Sequence, residues 1–488
     1  MTGGIGSDLD LRLVETHTAV LLFMGDRVHK VKKAVDLGFL DHRSREARLA
    51  ACREEVRLNR RLAPDVYLGV ADVVGTDGDL CDHMVVMRRM PEDRCLTRCV
   101  VEGEDVDDAL RAIARAVATL HARGEVAPGD RDVASLDALR SMWRESFAQL
   151  RAAGVDTDDS RRVEELAEQY LAGRGALLAR RIADGWVRDG HGDLMADDIY
   201  LLPDGPRILD CLEFSPRLRI ADVVADVAFL AMDLERLGRP DLARRFLHLY
   251  REMSAGTWPA SLAEHHVAYR AHIRAKVAAF KGAHVLAGGH ATPEALLAIA
   301  RRHLERGQVR LVLVGGLPGT GKSTIADAIA DEIDAVVLRT DEVRQRIDAG
   351  TGPDRYDPAN VLAVYEQAAR EAEQLLGLGH HVVLDATWSD AGARSAARDL
   401  ARRAAAELVE LRCVAPAALA ARRIEARGAV GASSSEATPA VAAALAARFV
   451  PWPEAIELDT DRALPVSVGE SLGALGWPDP ARAGATRG

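Results

Sequence analysis

Gly316-Leu317-Pro318-Gly319-Thr320-Gly321-Lys322-Ser323-Thr324 follows the compact apolar run Arg310–Val314 and leads into a helix-patterned segment. A strand, a glycine-rich loop, Lys-Ser and then a helix is the context in which this spacing reads as a P-loop. Glycines at 316, 319 and 321 let backbone N–H groups turn inward around a phosphate, and the helix behind them presents its positive end. On this reading Gly316, Gly319, Thr320, Gly321, Lys322, Ser323 and Thr324 bind nucleotide. Lys322 reaches the β- and γ-phosphates, and Ser323 offers its hydroxyl to Mg²⁺. The expected cofactors are ATP, or another nucleoside triphosphate, and Mg²⁺.

Working outward, Val336–Arg339, His381–Leu384 and Leu408–Val414 are further short apolar runs separated by helical segments. Alternating strand and helix predict a parallel sheet covered on both faces. Asp341, after the second strand, falls at the carboxyl edge beside the phosphates. It is a candidate base for an attacking hydroxyl, with Arg344 holding the substrate or its phosphate. The alternative is a helix N-cap at Thr340 or Asp341. Asp385 ends the run Val382-Val383-Leu384, a place for an outer-sphere Mg²⁺ carboxylate. Arg422, Arg423 and Arg427 precede a Gly/Ala/Ser-rich stretch (428–438) and read either as lid arginines or as ordinary surface arginines.

These motifs together resemble the small P-loop kinases of the gluconate kinase, polynucleotide 5′-hydroxyl kinase, chloramphenicol phosphotransferase and zeta-toxin group. The resemblance covers roughly 308–465. It implies transfer of the ATP γ-phosphoryl group to a hydroxyl, with Asp341 as base.

The first half differs in kind. Thr18–Phe23 and Val28–Lys32 flank a turn at Gly25-Asp26, 44–62 reads as a helix, and 66–90 as strands around Thr76-Asp77-Gly78. A helical pattern runs from Asp107 to about Ile182. At 186–214 it gives way to His191-Gly192-Asp193, a hairpin turning at Pro203-Asp204-Gly205-Pro206, and Ile208-Leu209-Asp210. Helices resume from about 220 to 306. Asp193, Asp198 and Asp210 thus surround one hairpin. Phosphoryl transfer needs such a set, one carboxylate to orient a hydroxyl and others to hold metal ions.

The motif resembles the aminoglycoside phosphotransferase family, relatives of the protein-kinase fold. The resemblance implies Asp193 as base, Asp210 as the main Mg²⁺ ligand and position 198 as a further ligand. The family has Asn where this chain has Asp198, and the added charge should alter metal binding and the pKa of Asp193. Val28-His29-Lys30-Val31-Lys32 resembles the strand whose lysine contacts the α/β-phosphates. Period two puts Lys30 and Lys32 on one face, so the sequence does not choose between them, although Lys30 is nearer the strand's middle. Glu55 is the expected ion-pair partner, Met84–Met90 the hinge strand, and His121 structural. Only Gly25 lies where a glycine-rich phosphate loop is expected. The resemblance extends to Asp36–Asp41 and Leu58–Pro64.

The expected architecture is α/β and α+β. A bilobal protein-kinase-like fold (1–95 and 96–306) precedes a three-layer P-loop α/β domain with a parallel sheet (307–475) and a disordered tail (476–488). Charged residues make up 28 % of the 488 residues, and the net charge of −11 argues against a nucleic-acid binder. The six cysteines show no metal-type pairing, and no uncharged apolar run approaches the ~18 residues of a membrane span. The pattern predicts a cytoplasmic enzyme with a small-molecule hydroxyl acceptor and no nucleic-acid or membrane partner. The function expected is a bifunctional ATP-dependent phosphotransferase. Its rivals are a non-catalytic sensor in the first half regulating the P-loop half, and a nucleic-acid 5′-hydroxyl or nucleotide-sugar kinase in the second.

Overall fold

The computed structural model describes residues 11–16, 18–36, 40–281, 291–347, 357–430 and 438–477. The tail from 478 and Leu37-Gly38-Phe39 lie outside them. Two compact units emerge. One takes in residues through Val163, Leu178–Trp258 and His266–Arg302; the other takes in Glu164–Leu177, Pro259–His265 and the chain from His303.

The first unit opens with an antiparallel sheet of β1 (Leu11–Glu15), β2 (Ala19–Met24), β3 (Arg27–Lys32), β4 (Tyr67–Val74) and β5 (Leu80–Arg88), in the order β1-β2-β3-β5-β4. Between β3 and β4 runs α1 (Arg45–Asn59). Ser44 caps it by accepting the Ala47 N–H at 3.1 Å. Arg48, Cys52, Glu55, Val56 and Asn59 recur at helical spacing and form its buried face. That face packs with Val28, Val85 and Met87 in one core. Val28, Lys30 and Lys32 share a side of β3, so Glu55 meets the lysines from across this core.

The remainder of this half is mostly helical: α2 (Leu96–Val101), α3 (Asp107–Arg123), α4 (Leu136–Ala152), α5 (Asp158–Gly173) and α6 (Gly175–Ala183). Then come β6 (Val187–Asp189), β7 (Ile199–Leu202), β8 (Gly205–Ile208), α7 (Pro216–Arg219), β9 (Ile220–Asp222), α8 (Val223–Arg236), α9 (Pro240–Ser254), α10 (Ala260–Lys281) and α11 (Pro293–Arg306). Helices do not resume directly at 220. Ile220–Asp222 first pairs antiparallel with β6, and Asp222 then caps α8 by accepting the Val224 N–H at 2.9 Å. The β7–β8 turn is tighter than expected. Gly205 and Pro206 are already in β8, paired with Leu202 and Leu201.

The second unit contains β10 (Arg310–Gly315), α12 (Lys322–Ile333), β11 (Ala335–Arg339), α13 (Thr340–Arg346), α14 (Pro358–Gly377), β12 (His381–Asp385), α15 (Ala391–Arg403), β13 (Glu407–Val414), α16 (Ala417–Val430), α17 (Pro439–Arg448), β14 (Ile456–Asp459) and α18 (Leu464–Ala474). The strands pair in parallel in the order β11-β12-β10-β13-β14. Every residue of β10 and β12 is buried, so both faces of the sheet are covered. Val312, Val314, Ile325, Ile329 and Val383 belong to one core that fixes α12, and with it the loop at its N-terminus, against the sheet.

Candidate active sites

In the second unit the glycine loop joins the end of β10 to the start of α12. Gly316 has φ +135°, and a Cβ there would lie 2.4 Å from the Cys413 carbonyl oxygen. Gly319 has φ +84°, with the Ala420 carbonyl oxygen equally close to a Cβ. Side chains at either position would displace the loop, so its backbone is the lining. Thr320 braces the turn by donating to Leu317 O at 2.8 Å, and its own carbonyl accepts from Thr460 Oγ1 at 2.7 Å. Lys322 Nζ reaches Leu317 O at 3.4 Å. Thr324 is exposed in the first turn of α12.

Ser323 Oγ donates to Asp385 Oδ2 at 2.6 Å. Burial raises the Asp385 carboxyl above its ordinary value, with Lys322 opposing. A hydroxyl and a carboxylate side by side at the carboxyl ends of β10 and β12 are oxygen donors suited to Mg²⁺. Arg339 spans Asp327, Glu342 at 3.1 Å and Asp385 at 3.7 Å, a connection the sequence did not reveal.

Asp341 sits within the first turn of α13, and Arg339, not Thr340 or Asp341, occupies the N-cap position without a side-chain cap. The capping alternative therefore does not hold. Instead Asp341 pairs with Arg344 at 2.8 Å, leaving Arg344 Nε buried and without a hydrogen bond. Arg423 donates to Thr460 O at 2.9 Å and lies beside Gly321, Arg422 is exposed, and the side chain of Arg427 lies outside the described residues.

In the first unit Lys30 Nζ lies 2.8 Å from both Glu55 Oε1 and Asp210 Oδ1. Lys32 pairs with Glu55 Oε2 at 2.5 Å and with Glu213, and is 1 % exposed against 14 % for Lys30. The two lysines left equivalent by strand periodicity are thus distinguished. Lys32 is enclosed between two carboxylates, while Lys30 faces the hairpin carboxylates. Burial disfavours the Lys30 ammonium, but Asp210 and Glu55 more than offset it and raise its pKa. Desolvation likewise opposes ionisation of Glu55, and Lys30 and Lys32 overcome it.

The three hairpin carboxylates are differentiated by their surroundings. Lys30 is the main influence holding Asp210 below the ordinary carboxylate range. Removal from water pushes Asp193 up to about 6, against the pull of Arg274. Asp198 is raised well above its ordinary value by burial, then by Asp210 and Asp193. A carboxyl near 6 is poised as a base around neutral pH. Crowded carboxylates at 198 and 210 are a donor set whose repulsion a divalent cation would relieve, so these residues fit Mg²⁺.

Residues with no motif of their own hold the hairpin. Asp226 on α8 accepts the backbone N–H groups of His191 and Gly192, each at 2.7 Å, and approaches His121 Nε2 at 2.9 Å. The other nitrogen of the His121 ring is 2.7 Å from Tyr250 Oη. Tyr67 Oη accepts the Asp210 N–H at 3.1 Å, and Asn59 Oδ1 accepts the Cys211 N–H at 2.8 Å. Asp210 has φ +59°, a left-handed conformation that these contacts fix. Glu213 was equally unmarked in the sequence. Its signal is its position three residues after Asp210.

A kinase-like carboxylate hairpin in one unit and a phosphate-cradling loop in the other define a chain of the kinase and phosphotransferase class. The family model described as "Phosphotransferase enzyme family" matches residues 36–264, and that described as "AAA domain" matches 311–452. Over 475 residues the chain is 43 % identical to the uncharacterized proteins Rv2004c of Mycobacterium tuberculosis (strain H37Rv) and Mb2027c of Mycobacterium bovis, covering 95 % of this chain and 94 % of each relative. The chain belongs to the family of these mycobacterial proteins, and in it an aminoglycoside phosphotransferase-like domain precedes a P-loop kinase-like domain.

Among solved structures, Mycobacterium tuberculosis APS kinase CysC in complex with AMPPNP and APS is 22 % identical, covering 35 % of this chain and 98 % of that one, with a TM-score of 0.29. Choline kinase of Cryptosporidium parvum is 11 % identical, covering 62 % of this chain and 88 % of that one, with a TM-score of 0.37. Scores this low carry no weight here. Among the described residues no helix is long and apolar enough to cross a membrane.

Proposed function

We propose that the chain is a bifunctional ATP-dependent phosphotransferase, each unit moving the γ-phosphoryl group to the hydroxyl of a small molecule. The observation that supports it most is the position of Lys30 Nζ, 2.8 Å from both Glu55 and Asp210. It unites a strand, a helix and a hairpin far apart in sequence into one charged cluster, which supports a phosphate- and metal-holding role. Mg²⁺, when bound, neutralises charge on the phosphate oxygens. In the first unit Asp198 and Asp210 would hold it, Lys30 positions the phosphates, and Asp193 takes the proton of the acceptor hydroxyl. That oxygen forms the new bond to the γ-phosphorus as the bond to the β-phosphate oxygen breaks and ADP leaves. In the second unit the loop amides and Lys322 hold the phosphates, Ser323 and Asp385 would hold the metal, and Asp341, oriented by Arg344, receives the proton.

A net charge of −11 over the whole chain favours a small-molecule acceptor over a nucleic acid. Aspartate at 198 favours one other reading, in which the first unit is a sensor that regulates the second. Phosphorylated products from a metabolite extract distinguish the two. Two product sets, one lost with Asp193→Asn and the other with Lys322→Ala, are expected. ATP turnover indifferent to Asp193→Asn and abolished by Lys322→Ala would leave only the sensor.

A further inference from the structure

The basic residues around the first-unit site are nearly all committed. Lys30 is held by Glu55 and Asp210, Arg236 pairs with Asp233 at 2.6 Å, and Arg219 pairs with Asp189 at the same distance. Arg270 on α10 donates through Nε to Ala225 O at 2.9 Å and stacks over the Phe229 ring at 4.0 Å, which turns this face of α10 toward α8, the helix that carries Asp226. Arg274 follows one helical turn later and therefore lies on the same face. It is the exception among these cations. Its Nε is buried with no hydrogen-bond partner, and among the described residues it makes no ion pair. Both guanidinium groups lie within electrostatic reach of Asp193, with Arg274 exerting the stronger pull, and Arg274 also reaches Asp197.

A buried guanidinium Nε without a partner is costly, and it is a strong donor to a carboxylate or phosphate. Asp210, Asp226 and Asp233 are already contacted by Lys30, His121 and Arg236, and although Arg274 pulls on Asp193 and Asp197, its Nε has no hydrogen bond to either carboxylate. Asp193 must meet the acceptor hydroxyl within hydrogen-bond reach, so a guanidinium close enough to pull on its carboxyl is near the acceptor too. We infer that the acceptor of the first unit is an anionic alcohol, a hydroxyl compound bearing a carboxylate or phosphate that Arg274 binds while Asp193 takes the hydroxyl proton. Arg270 places a second guanidinium charge within electrostatic reach of Asp193.

This inference rests on the phosphotransferase reading of the first unit. The test uses full-length protein carrying Lys322→Ala to silence the other unit, with Mg²⁺-ATP. The probes are glycerol 3-phosphate, 3-phosphoglycerate and gluconate against choline, kanamycin and glycerol. Transfer to an anionic probe and not to the cationic ones is expected. Arg274→Gln should then raise KM for that probe at least tenfold without changing KM for ATP, and Arg274→Lys should recover part of the loss. Transfer to cationic or neutral probes alone, or an unchanged KM in a folded Arg274→Gln protein, overturns the anionic assignment and leaves the phosphotransferase reading standing. No transfer to any probe, with ATP turnover identical after Asp193→Asn, overturns both.

Discussion

The P-loop of the second unit and the carboxylate hairpin of the first prepare for a polyphosphate in opposite ways. The P-loop is contiguous and relies on backbone, with Gly316 and Gly319 in conformations that leave no room for a side chain. Among the described residues its lysine makes one long hydrogen bond, to Leu317 O, and pulls on Asp385. The hairpin site relies on side chains from distant segments, and its charges are already paired, Lys30 with Glu55 and Asp210, Lys32 with Glu55 and Glu213. The difference teaches that a site built from backbone depends on local geometry, whereas one built from buried charges depends on its supports. Damage to a support should therefore cost the first unit more than the second.

The largest expected effect is on the first unit. Asp193→Asn removes the proposed base and should lower transfer there by on the order of 10²–10⁴ while ATP affinity stays within a few fold, as steady-state kinetics on a Lys322→Ala background would show. Lys322→Ala should reduce turnover in the second unit by on the order of 10²–10³ and leave the first unit's products unchanged. Equal loss of both activities from either substitution would break the separation of the two sites.

Asp226→Asn sharpens the contrast in supports. It weakens two 2.7 Å backbone hydrogen bonds and the contact to His121, and should cost about 2–4 kcal/mol of stability in chemical denaturation. First-unit transfer should fall with it, while nucleotide binding by the P-loop is kept. The smallest effect is in pH dependence. A base must be deprotonated to act, and Asp193 sits at about 6, above the ordinary carboxylate value. First-unit kcat/KM should therefore rise as pH increases, about tenfold per unit until it levels off above 6. An acid limb near 4 would mean that Asp193 is not the titrating base.

The same contrast governs how much could be read from the sequence. The P-loop and the runs ending at Arg339 and Asp385 were legible because glycine spacing and apolar strands are local signals. Asp193, Asp198 and Asp210 were legible through motif resemblance. Lys30 and Lys32 could not be separated, since alternation places both on one face and only Glu213, from a distant segment, encloses Lys32. Asp226, Tyr67 and Asn59 carry no local mark, because their roles come from the hairpin that folds onto them. β9 and β14 were missed because each is short, and β14 is an edge strand with Ile456 exposed.

Binding stoichiometry tests the central claim most directly. Titration calorimetry of the full chain with Mg²⁺ and the non-hydrolysable ATP analogue AMPPNP should give two sites per chain, falling to one with Lys322→Ala. A single site in the unsubstituted protein that vanishes with Lys322→Ala would contradict a nucleotide site in the first unit.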